Sequence, residues 1–267
     1  MVTSNVNAPD VVIVGGGAIG LAVAWRSALA GLRITVVDDE PGRASSWAAA
    51  GMLAPVTEAH YGEEGLLALN LASSARYPDF VAELEEAAGV SAGYRRCGTL
   101  AVARDTDADA ELEALYRFQL DLGLKVTRLK ARECRDLEPA LAPGVRGGIF
   151  VDEDHSIDNR ALVEALLFAC ERGGVDFVRG HAEKIVSANG RAQGVTVGGD
   201  ELSSGAVVLA AGCWSGSVAG IPEDAKPPVR PVKGQLIYLR GSAEHELVAR
   251  NVRGLDVYVV PRGDGRI

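Results

Sequence analysis

The chain has 267 residues, 48% of them hydrophobic and 24% charged, a balance that fits a well-cored folded protein and excludes a disordered one. With 27 basic against 36 acidic residues the net charge is -9, and the absence of a basic stripe excludes nucleic acid as a partner. No apolar run approaches the ~18 residues of a membrane span, and MVTSNVNAPD lacks the basic start and apolar run of a signal peptide, so no membrane association and a cytoplasmic location are expected.

The β-branched run VVIV at 11–14 predicts a strand buried on both faces. GGGAIG follows, then LAVAWRSALA as a helix closed by Gly31, then the strand RITVVDDE. This order is the first βαβ unit of a doubly wound α/β sheet. Residues 63–88 read as helical with a break at Pro78, 98–103 as a strand and 107–122 as a helix. In that helix Leu112, Leu115, Tyr116 and Gln119 share a face, and Glu113 can pair with Arg117.

From Asp158, an expected N-cap, Leu162, Ala165, Leu166, Ala169 and Cys170 form an apolar stripe ended by Gly173 and Gly174. Strands are expected at VDFV, around 183–187 and 193–197 with a turn at GGD, and at AVVLAAG (206–212). PPVRP at 227–231 reads as a crossing between domains, and QLIYL and VYVV beyond it as strands. The expected nucleotide-binding part is therefore discontinuous, 1–88 and 148–225, with 89–147 and 226–267 forming a second, sheet-containing part. The final PRGDGRI resembles a hairpin turn whose returning strand has barely begun, and the chain is expected to be the front part of a longer protein.

Gly15, Gly17 and Gly20 match G-x-G-x-x-G between a strand and a helix. Gly15 permits the tight turn, Gly17 leaves room for a pyrophosphate, and Gly20 lets helix and strand approach. The helix N-terminus supplies backbone N–H groups and partial positive charge. Asp38, at the end of the second strand, can accept from ribose hydroxyls and would repel a 2′-phosphate. The fingerprint alone does not separate NAD from FAD. Ser45 and Ser46 offer hydroxyls to phosphate. The small residues Ala48 to Met52 suit either a flat aromatic ring on main-chain amides or a buried turn against a helix; the residues themselves leave both open.

DVVIVGGGAIGLAVAW, VVDD and SSWAAAGMLAP together resemble the start of the D-amino-acid-oxidase-type FAD-dependent oxidoreductases, the glycine oxidases among them. VVLAAGCWSG, PVKGQLIYL and VYVVPRGDGRI resemble later segments of the same family. The resemblance implies an FAD-binding Rossmann-like domain with a second, sheet-containing substrate domain, here incomplete at its C-terminal side. It also implies non-covalent FAD held by Gly15, Gly17, Ala18 and Ile19 at the pyrophosphate, Asp38 at the ribose, and Ser45 and Ser46 near the phosphates. Ala49, Ala50, Gly51 and Met52 would lie along the isoalloxazine, the backbone of Glu183 would meet the adenine, and Ala210, Ala211, Gly212 and Trp214 belong to a second flavin-proximal segment.

The implied reaction is oxidation of glycine or a similar small amine or amino acid. The α-hydrogen passes to flavin N5, the imine hydrolyses, and O₂ reoxidises the flavin to give hydrogen peroxide. The imine can serve the thiazole half of thiamine. Tyr258 resembles the family tyrosine that faces the substrate. An arginine fork would grip the carboxylate, but in the family it lies in a later segment; Arg230, Arg253 and Arg262 read as solvated or structural. His60, His155, His181 and His245 are scattered and expected to be structural, Asp39 and Glu40 solvated. Cys97, Cys134, Cys170 and Cys213 show no metal, disulfide or flavin-attachment motif, and no metal is expected. A homotetramer would accord with the family. The competing readings are a sarcosine or D-amino-acid oxidase, a non-catalytic nucleotide-binding fragment and an NAD-dependent dehydrogenase.

Overall fold

Val12, Ile13 and Val14 are at most 3% exposed, as β-branched residues of a strand covered on both faces should be. They form β1 (Val11–Val14) in a computed structural model that describes residues 8–241, 246–254 and 257–267. In chain order α1 (Ala18–Leu29), β2 (Ile34–Val37), α2 (Ala44–Ala48), β3 (Met52–Leu53), α3 (Glu64–Ala88) and β4 (Tyr94–Arg95) follow. Next come β5 (Thr99–Ala103), α4 (Thr106–Asp121), β6 (Thr127–Lys130), α5 (Ala131–Leu137), β7 (Gly147–Val151) and β8 (His155–Ile157). Then α6 (Asn159–Arg172) leads to β9 (Asp176–Val178), β10 (Ala182–Ala188), β11 (Arg191–Val197), β12 (Asp200–Ser203) and β13 (Ala206–Leu209). The final strands are β14 (Asn251–Arg253) and β15 (Tyr258–Val259). His245 lies outside the described residues.

Two compact units share the chain: Met1–Ala49 with Glu83–Ala92 and Asn159–Gln235, and Ala50–Ala82 with Gly93–Asp158 and Leu236–Ile267. These boundaries differ from those expected at 88 and 148. The reason is strand pairing: β3 and β4 both pair with β8, and β7 lies between β5 and β6. Residues 50–82 and 148–158 therefore go with the second unit.

The first unit holds a parallel sheet in the order β13-β1-β2-β9. The connections through α1 and α6 are those a doubly wound sheet requires. The predicted stripe of α6 is buried, and Cys170 Sγ reaches Leu21 O of α1 at 3.4 Å. Beside this sheet β10, β11 and β12 form an antiparallel meander. Its two-residue turns, Asn189-Gly190 and Gly198-Gly199, have positive φ throughout, the conformation that matches strand twist in a tight hairpin. Val12, Val14 and Val37 pack with Ala182, Val195 and Val218 in one core.

The second unit holds the sheet β15-β14-β5-β7-β6 and a smaller one, β3-β8-β4. Every residue of β5 is buried. Leu100 and Val102 face a cluster with Cys134 and Val252, while Ala101 and Ala103 face one with Val56, Leu112 and Ile149. On α4 the Glu113–Arg117 pair forms at 3.0 Å, and Asp105 caps the helix by accepting from Ala108 N at 2.9 Å. Asp158 stands before α6 as expected, and its carboxylate accepts from Arg266 Nη2 at 2.6 Å.

Two further expectations fail. Helix α3 does not break at Pro78 but runs through it. Proline removes an N–H and crowds the carbonyl four residues back, a cost of ~3 kcal/mol; buried Leu67 and Val81 on either side of it anchor the helix nonetheless. Pro78→Ala should therefore raise the free energy of unfolding by about 1–3 kcal/mol, read as a higher denaturant midpoint; an unchanged midpoint would contradict this. The second failure is QLIYL, which forms no strand. Its end forms paired bonds between Leu239 and Ile267 at 3.0 Å, but among the described residues it joins no ladder, and a strand without a ladder is not held extended. In VYVV the strand is limited to Tyr258–Val259.

Candidate active site

The C-terminal ends of β1, β2 and β13 run into the glycine loop, Asp38 and Ala210–Gly212. This is the sheet's switch point, where β1 has β2 on one side and β13 on the other, and where open α/β sheets bind ligands. A cavity of about 860 Å³ opens there, within the ~300–1,000 Å³ usual for small-molecule sites.

Backbone contacts dictate the glycines. Gly15 has φ +105, and a Cβ on it would overlap the Ala210 carbonyl oxygen. A Cβ on Gly20 would overlap the Gly15 carbonyl oxygen, so α1 can approach the loop only because residue 20 has no side chain. Gly17 differs: its nearest neighbour would be Ser46 Oγ at 3.0 Å. Asp38 braces the loop, Oδ2 accepting from Gly16 N at 2.7 Å and Oδ1 from Glu40 N at 2.8 Å. Both oxygens retain acceptor capacity.

Gly17 is the N-cap of α1 and has no side chain to cap with. Ser46 substitutes from a distance, its Oγ accepting from Ala18 N at 2.9 Å, which leaves its hydroxyl hydrogen to donate elsewhere. Asn159 holds Ser46 in place, donating to the carbonyls of Ser46 and Trp47 at 2.8 and 2.7 Å. Ser46→Ala strips a helix-start N–H of its partner and should cost about 1 kcal/mol of stability. Thermal melts of the FAD-free protein would show it; no change would mean that another acceptor serves Ala18.

Gly15, Gly17, Ala18 and Ile19 line the cavity from the loop, Asp38 from the end of β2, and Ser45 and Ser46 from α2. Ala210, Ala211, Gly212 and Trp214 line it from the opposite side. Gly20 is buried beneath the loop. Ala49, Ala50, Gly51 and Met52 are not among the lining residues: Ala49 belongs to the first unit and the other three open the second. Glu183 is exposed on β10, its carbonyl accepting from Ala219 N at 3.1 Å. Its neighbours Gly180, His181 and Ala182 line the cavity instead. Tyr258 sits on β15 in the second unit with the Arg253 guanidinium 5.3 Å from its ring centre. Burial raises its hydroxyl above the ordinary tyrosine range, against Arg253, which lowers it, and with Glu58, which raises it further.

Sequence reasoning missed the charged rim. Asp39 and Glu40, expected to be merely solvated, line the cavity with Arg43 and His181. Arg43 lies over the Trp47 ring at 4.1 Å and pairs with Glu40 at 3.5 Å, and His181 Nδ1 is 3.5 Å from Asp39 Oδ2. The position of Arg43, directly after the Pro41-Gly42 turn that follows the acidic strand end, was the available signal. Nothing local marked His181.

The family model described as DAO, FAD dependent oxidoreductase, matches residues 10–267. Glycine oxidase of Pseudomonas putida is 31% identical over 261 residues, spanning 97% of this chain and 69% of that protein. The bifunctional protein ThiO/ThiG of Synechocystis sp. is 34% identical over 267 residues, spanning 97% of this chain. The chain spans only 38% of the length of that relative. The crystal structure of glycine oxidase from Geobacillus kaustophilus superposes with a TM-score of 0.87 at 28% identity, covering 97% of this chain and 69% of that one. Among the described residues no helix is long and apolar enough to cross a membrane.

Proposed function

Because the chain belongs to the DAO family of FAD dependent oxidoreductases, we propose that it binds FAD non-covalently and oxidises glycine or a similarly small amine or amino acid. The observation that carries this reading is the cavity where β1, β2 and β13 end, with hydroxyl acceptors and phosphate donors in separate places. Asp38 accepts from ribose hydroxyls. Gly17 leaves the diphosphate room, while the first-turn N–H groups of α1 and the Ser46 hydroxyl donate to it. Arg43 adds positive charge. Ile19 and Trp214, 73% and 54% exposed, present apolar surface that a ligand would cover. The ring is proposed to rest on Ala49–Met52, where small side chains leave main-chain amides open.

When bound, FAD supplies the two-electron acceptor that amine oxidation needs. The chain's own part is orientation. Tyr258, protonated at neutral pH as tyrosines ordinarily are, donates its hydroxyl to a substrate carboxylate oxygen. Likeness to two glycine oxidases supports glycine as substrate, and likeness to ThiO/ThiG supports use of the imine in thiamine thiazole formation.

The test is an absorbance spectrum of the purified protein, followed by peroxide assays with glycine, sarcosine and D-alanine at saturating oxygen. Flavin bands and glycine-dependent peroxide are expected. D-alanine turnover far above that of glycine would move the assignment to a D-amino-acid oxidase. A colourless protein that cannot be reconstituted with FAD would make it a nucleotide-binding fragment, and turnover that requires nicotinamide and no flavin would make it a dehydrogenase.

A further inference from the structure

Gly51 adopts φ +76, and a Cβ on it would overlap the Ile157 carbonyl oxygen and come 3.2 Å from Arg262 Nη1. Only glycine fits there. The residue it presses on is held from two sides: Ile157 N donates to Gly51 O at 2.8 Å, and Ile157 O accepts from Arg262 Nη1 at 2.9 Å. Met52 continues the contact by pairing with Ser156 in the β3–β8 ladder.

Arg262 is itself placed by a tight turn. Its N–H donates to Arg266 O at 3.0 Å, closing Arg262–Arg266 into a ring. Arg266 anchors that ring, donating to Asp264 at 2.7 Å and to Asp158, next to Ile157, at 2.6 Å. The backbone of Gly263 packs against Arg95, which pairs with Glu246 at 2.9 Å. The turn thus holds two consecutive residues of the chain, Ile157 through Arg262 and Asp158 through Arg266.

We propose that Arg262 is a positioning residue for FAD: by fixing the Ile157 peptide it sets the Gly51 carbonyl and, with it, the direction of the Ala50–Met52 amides. This rests on the reading that those residues meet the isoalloxazine. A guanidinium suits the task because it stays charged at every working pH and donates from a rigid fork. It also brings positive charge against the loop, which favours a reduced, anionic flavin over the neutral oxidised one.

The experiment compares the full chain with Arg262→Gln and Arg262→Lys, each titrated with FAD, with visible spectra and midpoint potentials of the bound flavin. Arg262→Gln should bind FAD about tenfold more weakly, the loss of one charged hydrogen bond, with a shifted visible band and a lower potential. Arg262→Lys, which keeps the charge and one donor, should stay within about threefold of wild type. Wild-type affinity, spectrum and potential in Arg262→Gln would overturn the proposal, as would a lysine variant as weak as the glutamine one. If Arg262→Gln does not accumulate folded, Arg262→Met replaces it, because it keeps the packed stem of the side chain while removing its charge and its donors. The same loss of affinity is then expected, and unaltered FAD binding overturns the idea. A wild-type chain that takes up no FAD at all overturns this inference together with the function it rests on, whereas normal uptake in both wild type and variant overturns the inference alone.

Discussion

Gly20→Ala is expected to lower the free energy of unfolding by about 3 kcal/mol, whereas Gly17→Ala should cost only about 1 kcal/mol, the value of the Ser46 cap it displaces, and weaken FAD binding at least about tenfold. The two glycines belong to one fingerprint but meet different surroundings. A Cβ at position 20 collides with the Gly15 carbonyl, lies 3.0 Å from its carbon and 3.5 Å from Ala210 Cβ. Those are mainly backbone atoms at the centre of the parallel sheet. Gly15 has little room to retreat, because the Ala210 carbonyl lies so close that a Cβ on Gly15 would overlap it. Relief requires moving α1 off the sheet, with the burial of Leu21, Ala24 and Trp25 that comes with it.

At position 17 the only atom near an added Cβ, among the described residues, is the Ser46 hydroxyl. A hydroxyl can rotate, so the fold survives. The new methyl, however, occupies the diphosphate's space and turns Ser46 away from Ala18. Urea melts of the FAD-free variants and FAD titrations separate the outcomes. Equal stability of the two variants, or full FAD affinity in Gly17→Ala, would show that the loop does not work as described.

Asp154→Asn should cost about 3 kcal/mol at neutral pH, and the deficit should grow on acidification. Asp154 is 0% exposed. Its carboxylate accepts from Val56 N at 3.1 Å and from Thr57 N and Oγ1 at 2.7 Å each. The carbonyls of the same two residues are held from the other side, Val56 O by Gln119 Nε2 at 2.8 Å and Thr57 O by Arg253. An asparagine would turn an amide N–H₂ toward an N–H donor and break this knot.

Burial pushes the Asp154 carboxyl up to about 6 from 3.8, even though all three donors favour the ionised form. The folded state therefore holds this proton more tightly than the unfolded chain does. The stabilisation it brings is complete below about pH 4, declines as pH rises to about 6, and is absent above. A shift of about two units corresponds to about 3 kcal/mol. Asparagine cannot titrate, so the gap between wild type and variant should widen by about that amount between pH 6.5 and 4. A constant gap across that range would mean that the carboxyl titrates alike in both states.

These two cases also show what the sequence made legible. The glycine loop, the strand before it and Asp38 are neighbours in the chain, and their pattern has one three-dimensional solution. The stripe of α6 and the Glu113–Arg117 pair were equally readable, because helical periodicity is local. Asp154 was not. It stands in VDEDHSID, where acidity suggests a solvated turn, and its burial depends on Val56 and Thr57 nearly a hundred residues earlier. Pro78 looked like a helix end because proline preference is local, while the anchors that overrule it, Leu67 and Val81, act through tertiary burial. QLIYL has strand composition but lacks a ladder among the described residues, and composition cannot supply a partner. The cavity rim divides the same way. Asp38 followed from its strand, whereas His181 arrives from a loop after β9 that only the folded sheet brings alongside β2.

The placement of β13 has a consequence for how the protein is made. β2 follows β1 closely in the chain and can pair with it soon after both leave the ribosome. The other edge of β1 waits for Ala206–Leu209, at translation rates of ~5–20 residues per second a delay of roughly ten seconds or more. Throughout that interval a hydrophobic, unprotected strand edge is open to other nascent chains. Slowed growth temperature or chaperone co-expression should therefore improve soluble yield more than any change to the finished surface would.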